Sequence, residues 1–258
     1  MLRGFIFDLD GTIYLSEKLI PGAGEVIRLL RDTGRKVVFL SNKPIQTREN
    51  YAEKLTRLGI PTAPGEVINS SFVMTSYLLK RAPGARLFVI GEAPFIGELE
   101  RAGFAICDDP EKIEWVIASF DRTFDYRKLN IAFQAIKRGA HFAATNPDRT
   151  CPVEGGEIPD CAAVIAALEA VTQKKVEVIV GKPSPIIIEA ALEVMGLPAS
   201  ECILIGDRIE TDIRMGRESG MATGLVMTGI ATEELLRASP LQPDFVFDSI
   251  ADLPRILK

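Results

Sequence analysis

Residues 5–12 read FIFDLDGT, an apolar run that ends in two carboxylates, Asp8 and Asp10. If the run is a strand, side chains two apart share a face, which would force these acids together. Two unit charges about 4 Å apart repel by roughly 4 kcal/mol at an effective dielectric near 20. A cation must stand between them, or one must be protonated. Three further apolar runs end in reactive polar groups: VVFLSN at Ser41 and Asn42, VIVGK at Lys182, and ILIGD at Asp207 with Asp212 just beyond. Set against Lys182, the four acids Asp8, Asp10, Asp207 and Asp212 leave three negative charges in excess. An oxygen-liganded divalent cation answers that excess, and Mg²⁺ suits a site with few carboxylates, several waters and a substrate phosphate. Lys182 and the Ser41 hydroxyl then read as the clamp for an anionic group such as a phosphate.

Each feature alone has a plainer account, because DxD is also a turn or helix cap, and GD is a common way for a strand to enter a loop. Their common placement carries the argument. In open parallel α/β sheets ligands bind outside the carboxyl ends of the strands, so groups remote in sequence converge on one crevice.

Short β-rich runs alternate with helical patterns along the whole chain, which predicts an α/β fold with a mostly parallel, doubly wound sheet. Helices are expected within Gly22–Thr33, from Thr47 to about Leu58, over Ser70–Lys80, near Phe95–Ala102, along the stripe Leu129, Ala132, Phe133 and Ile136, and near Asp160–Val171. Another follows Ser184 as N-cap, with Pro185 at its first position and Gly196 as its stop. The Pro- and Gly-containing break APGA at 82–85 marks a boundary, after which a separate βα series begins. The expected organisation is a core of residues 1–80 and 177–258, with VEVIVGK at 176–182 as one of its strands, and a cap of residues 81–176 inserted into it.

The chain has 258 residues, a net charge of −5 and no basic run, so it carries no electrostatic footprint for nucleic acid. No apolar run approaches the roughly 18 residues of a membrane span. The N-terminal apolar stretch is short and broken by Asp8, so a cytoplasmic protein is expected. Cys107, Cys151, Cys161 and Cys202 form no CxxC pair and read as free thiols. The only histidine, His141, sits in the apolar context AHFAAT; that excludes His-cluster metal sites and favours a packing or surface role.

FDLDGT at 7–12, LSN at 40–42, GKPSP at 181–185 and GDRIETDI at 206–213 resemble, in order and spacing, the four motifs of the haloacid dehalogenase-like (HAD) superfamily. The segments VIASFDRTFDY at 116–126 and TNPD at 145–148 resemble the large α/β cap of its class IIA branch, the NagD or 4-nitrophenylphosphatase type. The resemblance implies a Rossmann-like core with a C2-type cap and a Mg²⁺-dependent phosphatase of small phosphate monoesters, such as sugar phosphates, glycerol phosphate or nucleotides. It would also cleave 4-nitrophenyl phosphate in vitro and work through an aspartyl-phosphate. By that resemblance Asp8 is the nucleophile, and Asp10 is the general acid and then base. Ser41, Asn42 and Lys182 hold the phosphoryl oxygens. Asp8, Asp207 and the Asp10 carbonyl ligate Mg²⁺, and Asp212 supports them by orienting a metal-bound water or pairing with Lys182. Asn146 and Asp148 are candidate cap contacts to substrate, with an Asx-Pro turn as the alternative. Relatives often dimerise through the cap, so a homodimer is one expectation for partners. Lys43, following LSN, departs from the many relatives that carry a second Asn or another polar residue there. A phosphate sensor that hydrolyses nothing, and a phosphotransferase, are the competing functions; an intact Asp10 speaks against the first.

Overall fold

The computed structural model of the chain describes residues 1–153 and 155–257. In chain order its strands are β1 (Gly4–Asp8), β2 (Tyr14–Leu15), β3 (Lys18–Leu19), β4 (Lys36–Ser41), β5 (Val67–Asn69), β6 (Arg86–Ile90), β7 (Ala105–Ile106), β8 (Trp115–Ala118), β9 (His141–Ala144), β10 (Thr150–Val153), β11 (Gly156–Pro159), β12 (Val178–Ile179), β13 (Cys202–Gly206), β14 (Ala222–Val226) and β15 (Phe245–Phe247). The longer helices are α1 (Ala23–Asp32), α2 (Arg48–Arg57), α3 (Ser70–Arg81), α4 (Ala93–Arg101), α5 (Tyr126–Arg138), α6 (Cys161–Thr172) and α7 (Pro185–Met195). The chain divides into two compact units, one of Met1–Ser41, Arg48–Ile68 and Lys182–Lys258, the other of Asn42–Thr47 and Asn69–Gly181.

The first unit is built on a six-stranded sheet in the order β15-β14-β13-β1-β4-β5. All five residues of β1 are buried, as a central parallel strand covered on both faces requires. Its neighbours are β4 on one side and β13 on the other, both parallel. The chain therefore reverses its winding at β1, the topological switch point where such sheets bind ligands. Phe5, Phe7 and Phe39 pack with Val26, Ile27 and Leu30 of α1, each buried side chain of this size contributing about 2–3 kcal/mol before entropy. α7 starts as its sequence predicts: the Ser184 hydroxyl accepts from the Ile186 N–H at 3.4 Å, Pro185 follows, and Gly196 ends the helix in the left-handed region.

The second unit has its own five-stranded sheet, β12-β9-β8-β6-β7, with parallel pairing throughout. α5 and α6 cover it with Ile131, Ala135, Ile136, Val164 and Leu168. Two expectations need correction. The run 176–182 supplies only the short strand β12, which pairs with Ala143 and Ala144 of β9 and so belongs to this sheet, not to the core sheet. A brief apolar run has the same pattern in either sheet, and only pairing decides. The second unit also begins before the break at 82–85, because α3 packs on α4 and belongs with it. Pro and Gly there mark a local turn after α3, not a boundary.

The chain's one histidine stacks on its one tryptophan, Trp115, across paired strands with ring centroids 4.5 Å apart, and His141 Nδ1 lies 2.7 Å from Glu177.

Candidate active site

β1 delivers Asp8 to its carboxyl end and stops there. The chain then folds on Leu9, whose carbonyl accepts from the N–H groups of Ile13 at 2.9 Å and Tyr14 at 3.2 Å, while Gly11 takes φ +83°. A side chain is strained at that angle, which explains the glycine. Asp10 is thus part of a turn and not the next inward position of a strand. The reasoning that placed Asp8 and Asp10 on one strand face fails here, because period-two alternation ends with the ladder. Among the described residues the carboxylates that gather are Asp8, Asp207 and Asp212, with one oxygen of each within 4.8 Å of the others.

β13 ends at Gly206, and a single π-type turn over Ile209–Ile213 brings Asp212 back against it. A Cβ on Gly206 would stand 2.3 Å from the Asp212 carboxylate, so only glycine fits. Lys182, which opens the third segment of the first unit, donates from Nζ to Asp8 Oδ1 at 2.5 Å and to Asp212 Oδ1 at 2.9 Å. The second Asp212 oxygen accepts from the Arg208 N–H at 3.2 Å. Burial works hardest against the Lys182 charge, but Asp212 and Asp8 outweigh it and hold the ammonium above its usual range. Burial pushes Asp8 up to about 7, with Asp212 and Asp207 adding to the effect and Lys182 opposing it. Asp207 is raised chiefly by burial and then by Asp212.

Three buried carboxylates against one ammonium leave a charge deficit that the described side chains do not fill. Asp207 Oδ1 is buried with no hydrogen-bond partner. An orphaned carboxylate oxygen in an all-oxygen acidic cluster fits a hard divalent cation such as Mg²⁺, with Asp8 and Asp207 as ligands; Asp212 spends both oxygens on Lys182 and Arg208 and so supports the others.

Ser41 ends β4, buried, and donates to the Tyr51 hydroxyl of α2 at 3.2 Å. Tyr51 was not singled out from the sequence, where it is one aromatic on a helix stripe. Asn42 belongs to the second unit. Its Nδ2 donates to Asp148 Oδ2 at 3.0 Å, and its carbonyl accepts from Ser70 Oγ at 2.6 Å and from Asn146 Nδ2 at 3.2 Å. The Asp148 N–H donates to Asn146 Oδ1 at 2.9 Å, the Asx turn weighed for NP, and the Asp148 carbonyl accepts from the Ala162 N–H at the start of α6. Asp160 caps that helix and is pushed up to about 6, mainly by burial. Asn146 and Asp148 thus hold the segment around Asn42.

The second unit contains a cleft of about 980 Å³ lined by Tyr77, Arg81, Arg86, Trp115, Arg138 and His141. It opens at the amino ends of β6, β8 and β9 and at the carboxyl ends of α3 and α5, where helix dipoles are negative. Arg81 and Arg138 are the last residues of those helices and offset that charge.

Comparisons with known proteins place the chain in a family. Residues 5–105 match the haloacid dehalogenase-like hydrolase family, and residues 179–253 match a HAD-hydrolase-like family. The chain is 42% identical to the sugar-phosphatase AraL of Bacillus subtilis, over 98% of this chain and 92% of that protein. The structure superposes on a 4-nitrophenylphosphatase from Thermotoga maritima with a TM-score of 0.94 at 33% identity, covering 100% of this chain and 98% of that one. NagD from Escherichia coli K-12 gives 0.90 at 32% identity, covering 97% and 98%.

Proposed function

This chain belongs to the haloacid dehalogenase-like hydrolases, in their NagD-like branch, and we propose that it is a Mg²⁺-dependent phosphatase of small sugar phosphates acting through Asp8. The observation that carries the reading is Asp8 itself, a buried carboxylate at the end of the central strand. It lies 2.5 Å from Lys182 and within a three-carboxylate cluster. The substrate class rests on the sugar phosphatases among the relatives.

Asp8 and Asp207, with the Asp10 carbonyl, would hold Mg²⁺, which when bound supplies positive charge to the phosphoryl oxygens and keeps Asp8 ionised. An Asp8 oxygen attacks phosphorus; the bond from phosphorus to the ester oxygen breaks, and Asp10 donates its proton to the departing alkoxide. Lys182 and Ser41 carry the phosphoryl oxygens through a transition state whose charge sits on those atoms. Water then attacks the aspartyl-phosphate, Asp10 takes its proton, and phosphate leaves with Asp8 regenerated. Asp212 keeps the Lys182 ammonium in place through both halves.

The test is phosphate release from a panel of sugar phosphates and from 4-nitrophenyl phosphate, with Mg²⁺ and with chelator, for the wild type and Asp8→Asn. Release that needs the metal and disappears in Asp8→Asn is the expected result. A folded wild type that binds Mg²⁺ and phosphate yet releases nothing from any ester would make the protein a sensor.

A further inference from the structure

We propose that the turn Thr228–Ile230, just past the carboxyl end of β14, is a positioning element for the cation site. It sets which oxygen of Asp207 is spent on the protein and which is kept for the ion. The proposal rests on the Mg²⁺ reading above and extends it to residues outside the four resembling motifs. The Ile230 N–H donates to Asp207 Oδ2 at 2.7 Å, and the Ala231 N–H donates to the Asp207 carbonyl at 3.0 Å. Oδ1 is left buried and unpartnered. A carboxylate free to rotate would present either oxygen; one fixed by a backbone donor presents only the other.

The slot that holds this carboxylate has two glycine walls. A Cβ on Gly229 would stand 1.9 Å from Asp207 Oδ2 and 2.5 Å from its Cγ. One on Gly11 would stand 2.5 Å from the same Oδ2 and 3.1 Å from the Gly229 Cα. Thr228 Oγ1 donates to the Gly11 carbonyl at 2.6 Å and so ties the turn after β1 to the turn after β14. Asp207 Cβ also lies 2.6 Å from a Gly229 Cβ, so a methyl there cannot be relieved by rotating the carboxylate alone. The whole side chain must shift, and Oδ1 with it. Gly229 is exposed, so the requirement for glycine does not come from core packing.

The experiment is a calorimetric titration of the full chain with Mg²⁺ alone, with no substrate and no turnover, on wild type, Gly229→Ala, Thr228→Val and Thr228→Ser. Loss of an outer partner of a metal ligand typically weakens binding about 10–100-fold. Gly229→Ala is therefore expected to bind Mg²⁺ at least about 10-fold more weakly while keeping wild-type circular dichroism. Thr228→Val should bind more weakly by a smaller factor, and Thr228→Ser, which keeps the hydroxyl, should match wild type. A folded Gly229→Ala with wild-type Mg²⁺ affinity would overturn the proposal. If that variant does not fold, equal affinities for Thr228→Val and wild type would overturn it instead. A wild type that takes up no Mg²⁺ removes the metal reading itself, a failure visible before any variant is made.

Discussion

One cluster of buried polar groups in each unit makes a contrast. Around Asn42 in the second unit, the Asn146 and Asp148 side chains, the Ser70 hydroxyl and the Asn42 carbonyl are bonded to one another or to backbone. Around Asp8 in the first unit, three acids share one lysine, and an Asp207 oxygen has no partner. A satisfied network rigidifies the chain that carries it, whereas a deficient one stores a demand that a ligand meets. The first arrangement is built to hold a segment still, the second to bind.

Substitutions at four positions test that contrast. Asp8→Asn should lower kcat on any phosphate monoester by about 10³-fold or more, as loss of a covalent nucleophile does. Because it also removes one of three crowded charges, its thermal midpoint in chelator should not fall below wild type; a large fall would mean that Asp8 was needed by the fold. Lys182→Met should destabilise the metal-free protein by about 3–5 kcal/mol, since it leaves Asp8 and Asp212 buried without a counter-charge. Urea denaturation measures this, and added Mg²⁺ should recover part of the loss.

In the second unit the expected effects are smaller. Asp148→Ala should cost about 1–3 kcal/mol by stranding the Asn42 amide, with Asp148→Asn costing less. Equal stability of Asp148→Ala and wild type would show that the network is not a clamp. The smallest effect concerns pH. The Asp160 folded-state value, about 6, lies above its ordinary 3.8, so its neutral form stabilises the fold fully below pH 3.8, and that contribution is lost as pH rises through 6. Asp160→Asn keeps a side-chain acceptor at the start of α6 and should flatten the stability profile between those two values by about 1–2 kcal/mol.

Much of this was readable from local pattern. GFIFD is a continuous apolar run and became the central strand; Ser184, Pro185 and Gly196 bounded α7 because caps depend on neighbours a few residues away. The groups that needed tertiary information were misread or missed. β12 joined the other sheet because two residues of apolar sequence do not say which strand they will pair with. Asp10 left the strand face because the ladder ends at Asp8, two residues before the alternation argument needs it to. Gly206 and Gly229 looked like ordinary strand-end glycines; their reason is a carboxylate less than 2.5 Å from where a methyl would be. Asp148 and Asn42 lie 106 positions apart, and no spacing rule links them.

The Trp115–His141 stack gives the protein a built-in optical label. With a single tryptophan in the chain, and that one in the second unit, intrinsic fluorescence excited at the indole band reports on that unit alone, while circular dichroism sums over both. Coincident melting curves from the two signals would mean one cooperative transition, and separated curves would give each unit its own stability from an unmodified sample.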